Sequence, residues 1–231
     1  MIACLCAVAL LQGAAAGAPL DEGVFVVRVD TLEVARESFR LSRGRLSRGE
    51  AGWTLATTIR YDRSRPVVVL APILEVNTDT MPATLQYDVA DPQQPSRILG
   101  ELGRGRFTVR LVARETERAR EFATGQRTVV LDDSVFALYV FAGWRAGGGG
   151  GAGGAGPAEL TALFPRSLRR EVVQIHDLGQ ASTTLNRDPA RLRHITVTGT
   201  RGVVHLWLDD NGRLMKLEAP ARHLIVERQA S

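Results

Sequence analysis

Apolar and polar residues alternate with a period of two along most of this chain, the periodicity of strands with one buried face. The clearest run is Trp53 to Tyr61: Trp53, Leu55, Thr57, Ile59 and Tyr61 share one face, and Thr54, Ala56, Thr58 and Arg60 the other. Ahead of it, Val24 to Val29 and Leu32 to Leu41 flank Asp30-Thr31, which predicts two strands joined by a tight turn. Ser42 to Gly52, polar and punctuated by glycine, reads as the next hairpin loop. Val67 to Val76 is a further strand, one that Pro72 should bend or confine to a sheet edge. Thr84 to Val89 and Arg106 to Ala113 alternate in the same way, with a turn at Asp91 to Pro95. Arg118 to Phe122 and Thr128 to Leu131 extend the meander around Gly125.

The period breaks after Asp133. From Ser134 to Trp144 the residues are apolar nearly all round, and Asp132-Asp133-Ser134 could cap the free amides of a helix start. The reading is a short buried helix, with a continuous buried strand as the alternative. Ala146 to Gly156 is almost pure glycine and alanine and reads as a flexible loop within one domain. Beyond it the alternation resumes. Asn211-Gly212 between two alternating runs signals a hairpin with a two-residue turn. That register sets Asp210 opposite Arg213, Leu208 opposite Met215 and Leu206 opposite Leu217. On the other face it sets Trp207 opposite Lys216, an ammonium over an indole, and His205 opposite Glu218.

Composition narrows the function. The chain has 231 residues, 45% of them hydrophobic, enough to bury a large core. Of 29 basic residues only Lys216 is a lysine, and arginines interleave with acids, as in Arg114-Glu115-Thr116-Glu117-Arg118. A net charge of +4 so scattered argues against a nucleic-acid partner. Ile2 to Ala16 carries no charge and ends in Ala14-Ala15-Ala16, which fits an export signal over residues 1–16; an apolar first strand or short helix is the alternative. It is too short for a convincing membrane span. Both cysteines, Cys4 and Cys6, lie within it, so residues 17–231, read as one antiparallel β domain, contain no thiol. The expected location is periplasmic or secreted.

Motifs for chemistry are sparse. His205 and Glu218 are the one imidazole–carboxylate pair the register brings together, and no nucleophile accompanies them. The histidines lack the close spacing of a helical zinc site, and Asp209-Asp210-Asn211-Gly212 lacks the far ligand of a calcium loop. No phosphate loop, nucleophile elbow or dinucleotide fingerprint occurs; Gly100, Gly103 and Gly105 do not open a helix. Neither a cofactor nor a metal site is expected.

The order of elements, a long antiparallel meander, a short apolar helical insertion, then strands ending in His205-Leu206-Trp207-Leu208-Asp209-Asp210-Asn211-Gly212-Arg213-Leu214, resembles exported half-barrel lipoprotein carriers of the LolA and LolB kind and related periplasmic families. The resemblance implies a sheet curled around an apolar concave face and carriage of a lipid or acyl chain. This chain departs from it in having one helical candidate and a Gly/Ala loop. The expected fold is mainly β, a strongly curved antiparallel half-barrel or open barrel with one short apolar helix on the concave face. Its expected ligand pocket comprises Trp53, Leu55, Ile59 and Tyr61 of the sheet with Phe136, Tyr139, Phe141 and Trp144 of the helix. Burying about 400 Å² of acyl surface at about 25 cal/mol per Å² would supply about 10 kcal/mol before ordering costs. A structural or protein-docking module of the envelope is the second reading, and a hydrolase using His205 and Glu218 the third.

Overall fold

The computed structural model describes residues 19–147 and 157–230. The expected export signal with both cysteines lies outside the described residues, as does most of the Gly/Ala run. The strands are β1 (Pro19–Val29), β2 (Leu32–Arg45), β3 (Ala51–Tyr61), β4 (Val68–Asn77), β5 (Pro82–Ala90), β6 (Ser96–Gly103), β7 (Arg106–Ala113), β8 (Glu117–Ala123) and β9 (Thr128–Val130). After helix α1 (Tyr139–Gly147) come β10 (Ala158–Phe164), β11 (Arg169–Leu185), β12 (Asp188–Gly199), β13 (Gly202–Leu208), β14 (Leu214–Ala219) and β15 (Leu224–Arg228). They form one sheet in the order β8-β7-β6-β5-β4-β3-β2-β1-β15-β14-β13-β12-β11-β10-β9. Every neighbouring pair is antiparallel except β9 and β10, and the sheet does not close.

Its two ends overlap instead. The chain crosses from β8 to β9 in four residues, 124–127, so the outermost strands of the sheet meet at one end of a seam. From there β9 lies against β5, and the short 3-10 turn Pro165–Ser167 that ends β10 lies against β6 and β7. All three residues of β9 are buried, as expected for an edge drawn inside the coil. Residues 131–147 then run through the middle of the coil and fill it, as a plug.

The alternation places the core as expected: Leu55 and Ile59 of β3, Leu85 and Tyr87 of β5, and Phe107 and Val109 of β7 all face inward. Several local expectations give way. The loop expected over Ser42 to Gly52 shrinks to residues 46–50, because Arg43 and Arg45 still pair with Trp53 and Ala51. Pro72 sits in an interior strand opposite Tyr87, and only the ladder to β3 skips at its missing N–H. The glycines of β6 belong to a strand: a Cβ on Gly100 would lie 2.6 Å from the Phe107 ring, so glycine there makes room for a core aromatic.

The expected helix begins five residues late, at Tyr139. Asp132 does cap an amide, that of Ser134 at 2.7 Å, but Phe136 and Ala137 give theirs to a side chain of β2, which holds 134–138 out of helical geometry. Helix α1 also takes in Ala146 and Gly147 from the expected loop. The Asn211-Gly212 hairpin differs in its tip. Asp209 donates its N–H to Arg213 (3.0 Å) across a three-residue loop with Gly212 at φ 74°, and Leu208 pairs with Leu214. Met215 is the extra residue in β14, so Trp207 opposite Lys216 and His205 opposite Glu218 hold despite the changed turn.

Candidate functional site

Of the eight residues expected to line an apolar pocket, Trp53, Phe141 and Trp144 pack together, whereas Tyr139 lies among Phe164, Val173 and Val204 of β10, β11 and β13. Leu55, Ile59, Phe136 and Phe141 are at most 1% exposed and Tyr139 is 5% exposed, so they have almost no surface left for a ligand. Trp53, Tyr61 and Trp144 are partly buried. The Trp144 ring meets Trp53 edge-on at 5.6 Å and Phe141 at 5.5 Å, and its indole N–H donates to the Gly212 carbonyl at 2.8 Å. The Tyr61 hydroxyl donates to the Ser134 carbonyl at 2.8 Å. Helix and sheet therefore meet as a packed core.

What alternation alone did not reveal is a polar layer that pins this plug. Asp132, at its head, accepts two parallel hydrogen bonds from Arg166, Nε and Nη2 each at 2.8 Å, and one from the Tyr87 hydroxyl at 3.2 Å. Burial, reinforced by the nearby Asp132 charge, pushes the Tyr87 hydroxyl well above the ordinary tyrosine range and keeps it a donor. Farther along, Glu37 of β2 has no exposed surface and accepts from the Phe136 and Ala137 amides at 2.9 and 3.0 Å and from the Thr57 hydroxyl at 2.8 Å. The signal was present: Glu37 sits on the same strand face as Ala35, Phe39 and Leu41, where an acid interrupts an apolar row. Asp133, next along the plug, pairs with Arg201 at 2.5 Å.

Arg166 faces two ways. Inward it holds Asp132; outward it forms part of the wall of a cleft of about 620 Å³ at the seam of the coil. The cleft lies between the 91–96 turn and the turn from β7 to β8, with Arg166 reaching it from the other end of the sheet. Its wall is mainly polar: Arg114 and Arg118 join Arg166 as guanidinium donors, against the carboxylates of Asp91 and Glu115, with Val89 half-buried and Ile98 and Leu111 buried behind them. Its size falls within the range of sites for small organic ligands. Its three guanidinium groups offer recognition of an anionic or polar group.

Two of the four histidines meet elsewhere. His194 Nε2 and His205 Nδ1 are 2.9 Å apart, a pair created by the β12–β13 register. The His194 ring also stacks on Trp207 at 4.1 Å, in the place expected for the Lys216 ammonium. Lys216 instead donates to the Thr184 carbonyl at 2.7 Å and pairs with Glu218 at 2.7 Å, so His205 faces a carboxylate already matched by a cation. The tip of the long β11–β12 hairpin lies over this side of the sheet. Among the described residues no group of three or more His, Cys, Asp or Glu is placed to hold a metal, and no helix is long and apolar enough to cross a membrane.

Fold and site together define a mainly β, barrel-like protein with a plugged interior and an open cleft at its seam. No protein-family profile matches the chain, and no curated protein sequence matches it. Among solved structures it is similar to the crystal structure of a β-barrel-like protein of a domain of unknown function, DUF1849, from Brucella abortus. The identity is 11%, the TM-score 0.55, and the match covers 93% of this chain and 97% of that one. This likeness is one of fold: it supports the barrel-like architecture and does not single out the LolA and LolB carriers.

Proposed function

We propose that this chain is a non-enzymatic binding protein of the cell envelope, and that its ligand docks in the seam cleft rather than in the plugged interior. The observation that carries the reading is the cleft itself, roomy, open and walled mainly by polar groups, with Arg114, Arg118 and Arg166 beside the half-buried Val89. The chemistry favours an amphiphile with an anionic head, a lipid or acyl chain being the simplest kind. Methylenes buried against the half-buried Val89 supply about 0.8 kcal/mol each, and a guanidinium–carboxylate contact fixes the head. Placement in the envelope rests on the signal-like stretch Ile2 to Ala16.

Titration with a fluorescent fatty acid tests it. Saturable binding is expected, weakened about tenfold by each of Arg114→Glu and Arg118→Glu, since reversing a charge beside the head costs at least about 1.4 kcal/mol. Absence of binding up to the probe's solubility limit, together with ligand-free protein in native mass spectra, would remove the ligand reading. The tightly filled core favours the alternative that would remain, a structural or protein-docking module of the envelope.

A further inference from the structure

The plug is seated on a carboxyl group, that of Glu37, which no cation among the described residues neutralises. Glu37 projects into the core from β2. From β3 it meets the Thr57 hydroxyl and the neighbouring Tyr61; from the plug it meets two amides and the nearby Asp132, whose charge Arg166 already balances. A neutral acid satisfies every partner at this spot. Its carbonyl oxygen takes the Phe136 amide, and its hydroxyl oxygen takes the Ala137 amide while donating to Thr57. Thr57 then turns its own proton to the Ser38 carbonyl, 3.0 Å away. A carboxylate accepts all three donors too, but leaves a full charge in a fully buried site.

We propose that Glu37 is a proton-dependent latch: as the neutral acid it keeps residues 131–147 seated, and its ionisation favours a state in which this segment lifts and water reaches the carboxylate. The lifted state also uncovers Leu55 and Ile59, so the pocket expected from the β3 pattern exists only there. This inference goes beyond the cleft reading and does not depend on it. Burial, opposed by the three hydrogen bonds, moves the carboxyl from its ordinary 4.5 up to about 7. The sign follows: the group favours the seated plug fully below the lifted-state value, and that advantage is lost as pH rises through the seated-state value. With those two values, the lifting equilibrium grows roughly 70-fold between about pH 5 and about pH 8.

Amide hydrogen exchange of the full chain, followed by mass spectrometry and corrected for the intrinsic pH dependence of exchange, reads this directly. Peptides covering 131–147 should lose protection roughly 70-fold over that pH range while peptides of β7 do not. Glu37→Gln should flatten the dependence. Thr57→Val, which removes one hydrogen bond to the carboxylate and leaves the acid in place, should move the rise to higher pH. A plug whose corrected exchange is flat in the parent chain, or rises unchanged in both variants, overturns the latch.

Discussion

Arg166→Ala isolates the energetics of the plug, because its two partners are so unequally buried. The Asp132 side chain is 3% exposed, whereas that of Arg166 is 33% exposed and can turn to water. Removing the guanidinium takes two charge-assisted hydrogen bonds from a carboxylate that has no solvent to replace them. Breaking a buried pair in this way costs about 3–5 kcal/mol. In a chain of this size that lowers the melting temperature by about 10 °C, at about 2–4 °C per kcal/mol. Asp132→Ala also removes the Tyr87 and Ser134 contacts and is expected to destabilise, but the loss in the double variant should fall short of the sum of the two single losses by about 2 kcal/mol or more. Urea unfolding at neutral pH, followed by tryptophan fluorescence, is a suitable assay, since Trp53 and Trp144 touch at the far end of the plug. A loss under about 1 kcal/mol for Arg166→Ala, or strict additivity in the double variant, would refute the view that this pair holds the plug.

Two further substitutions test the sheet around it. Gly100→Ala puts a methyl carbon 2.6 Å from the ring of Phe107, which is 0% exposed and cannot swing away, so a loss of about 1–3 kcal/mol in urea unfolding is expected. An unchanged midpoint would show that the strands part freely there. Lys216→Ala releases the carbonyl of Thr184 and with it the tip of the β11–β12 hairpin, which Asn186 otherwise ties only to Glu227 and the Arg228 carbonyl. Limited trypsin digestion should then cut after Arg187 about tenfold faster, matching a charged hydrogen bond worth about 1.5 kcal/mol. Equal cleavage rates would mean that Lys216 does not hold the tip.

Most strands were legible because they have one wet face and one dry face, as in β3 and β7, and the strand order follows from short connections between neighbours. The pairing of β1 with β15 and the overlap of the two sheet ends join residues far apart in the chain, and no local pattern encodes them. Turn chemistry was legible in kind and wrong in detail at Asn211-Gly212, where the Asp209 side chain accepts from the amides of Asn211 (2.9 Å) and Arg213 (2.8 Å) and so favours the longer loop. The aromatic run after Asp133 correctly announced a buried segment. Its apolarity all round could equally describe a pocket wall or a filler, since both are made of the same side chains. Glu37 and Asp132 decide between these descriptions, and the weight of each depends on partners in distant strands.

Why an interior of this kind needs such pins follows from its width. A closed barrel of about eight strands is filled by its own side chains, and larger ones leave space that must be occupied by water, a ligand or a piece of chain. With 15 strands in the coil, residues 131–147 pack between β2, β3 and β5 on one side and β11 to β14 on the other. Apolar contacts alone would let such a segment slide or rotate at little cost, because one greasy neighbour substitutes for another. The Asp132–Arg166 fork at one end, the two amides held by Glu37 in the middle and the Trp144–Gly212 contact at the other end each accept only one placement. The plug therefore has a defined register along its length, and the central Glu37 contact is the one whose strength changes with a proton.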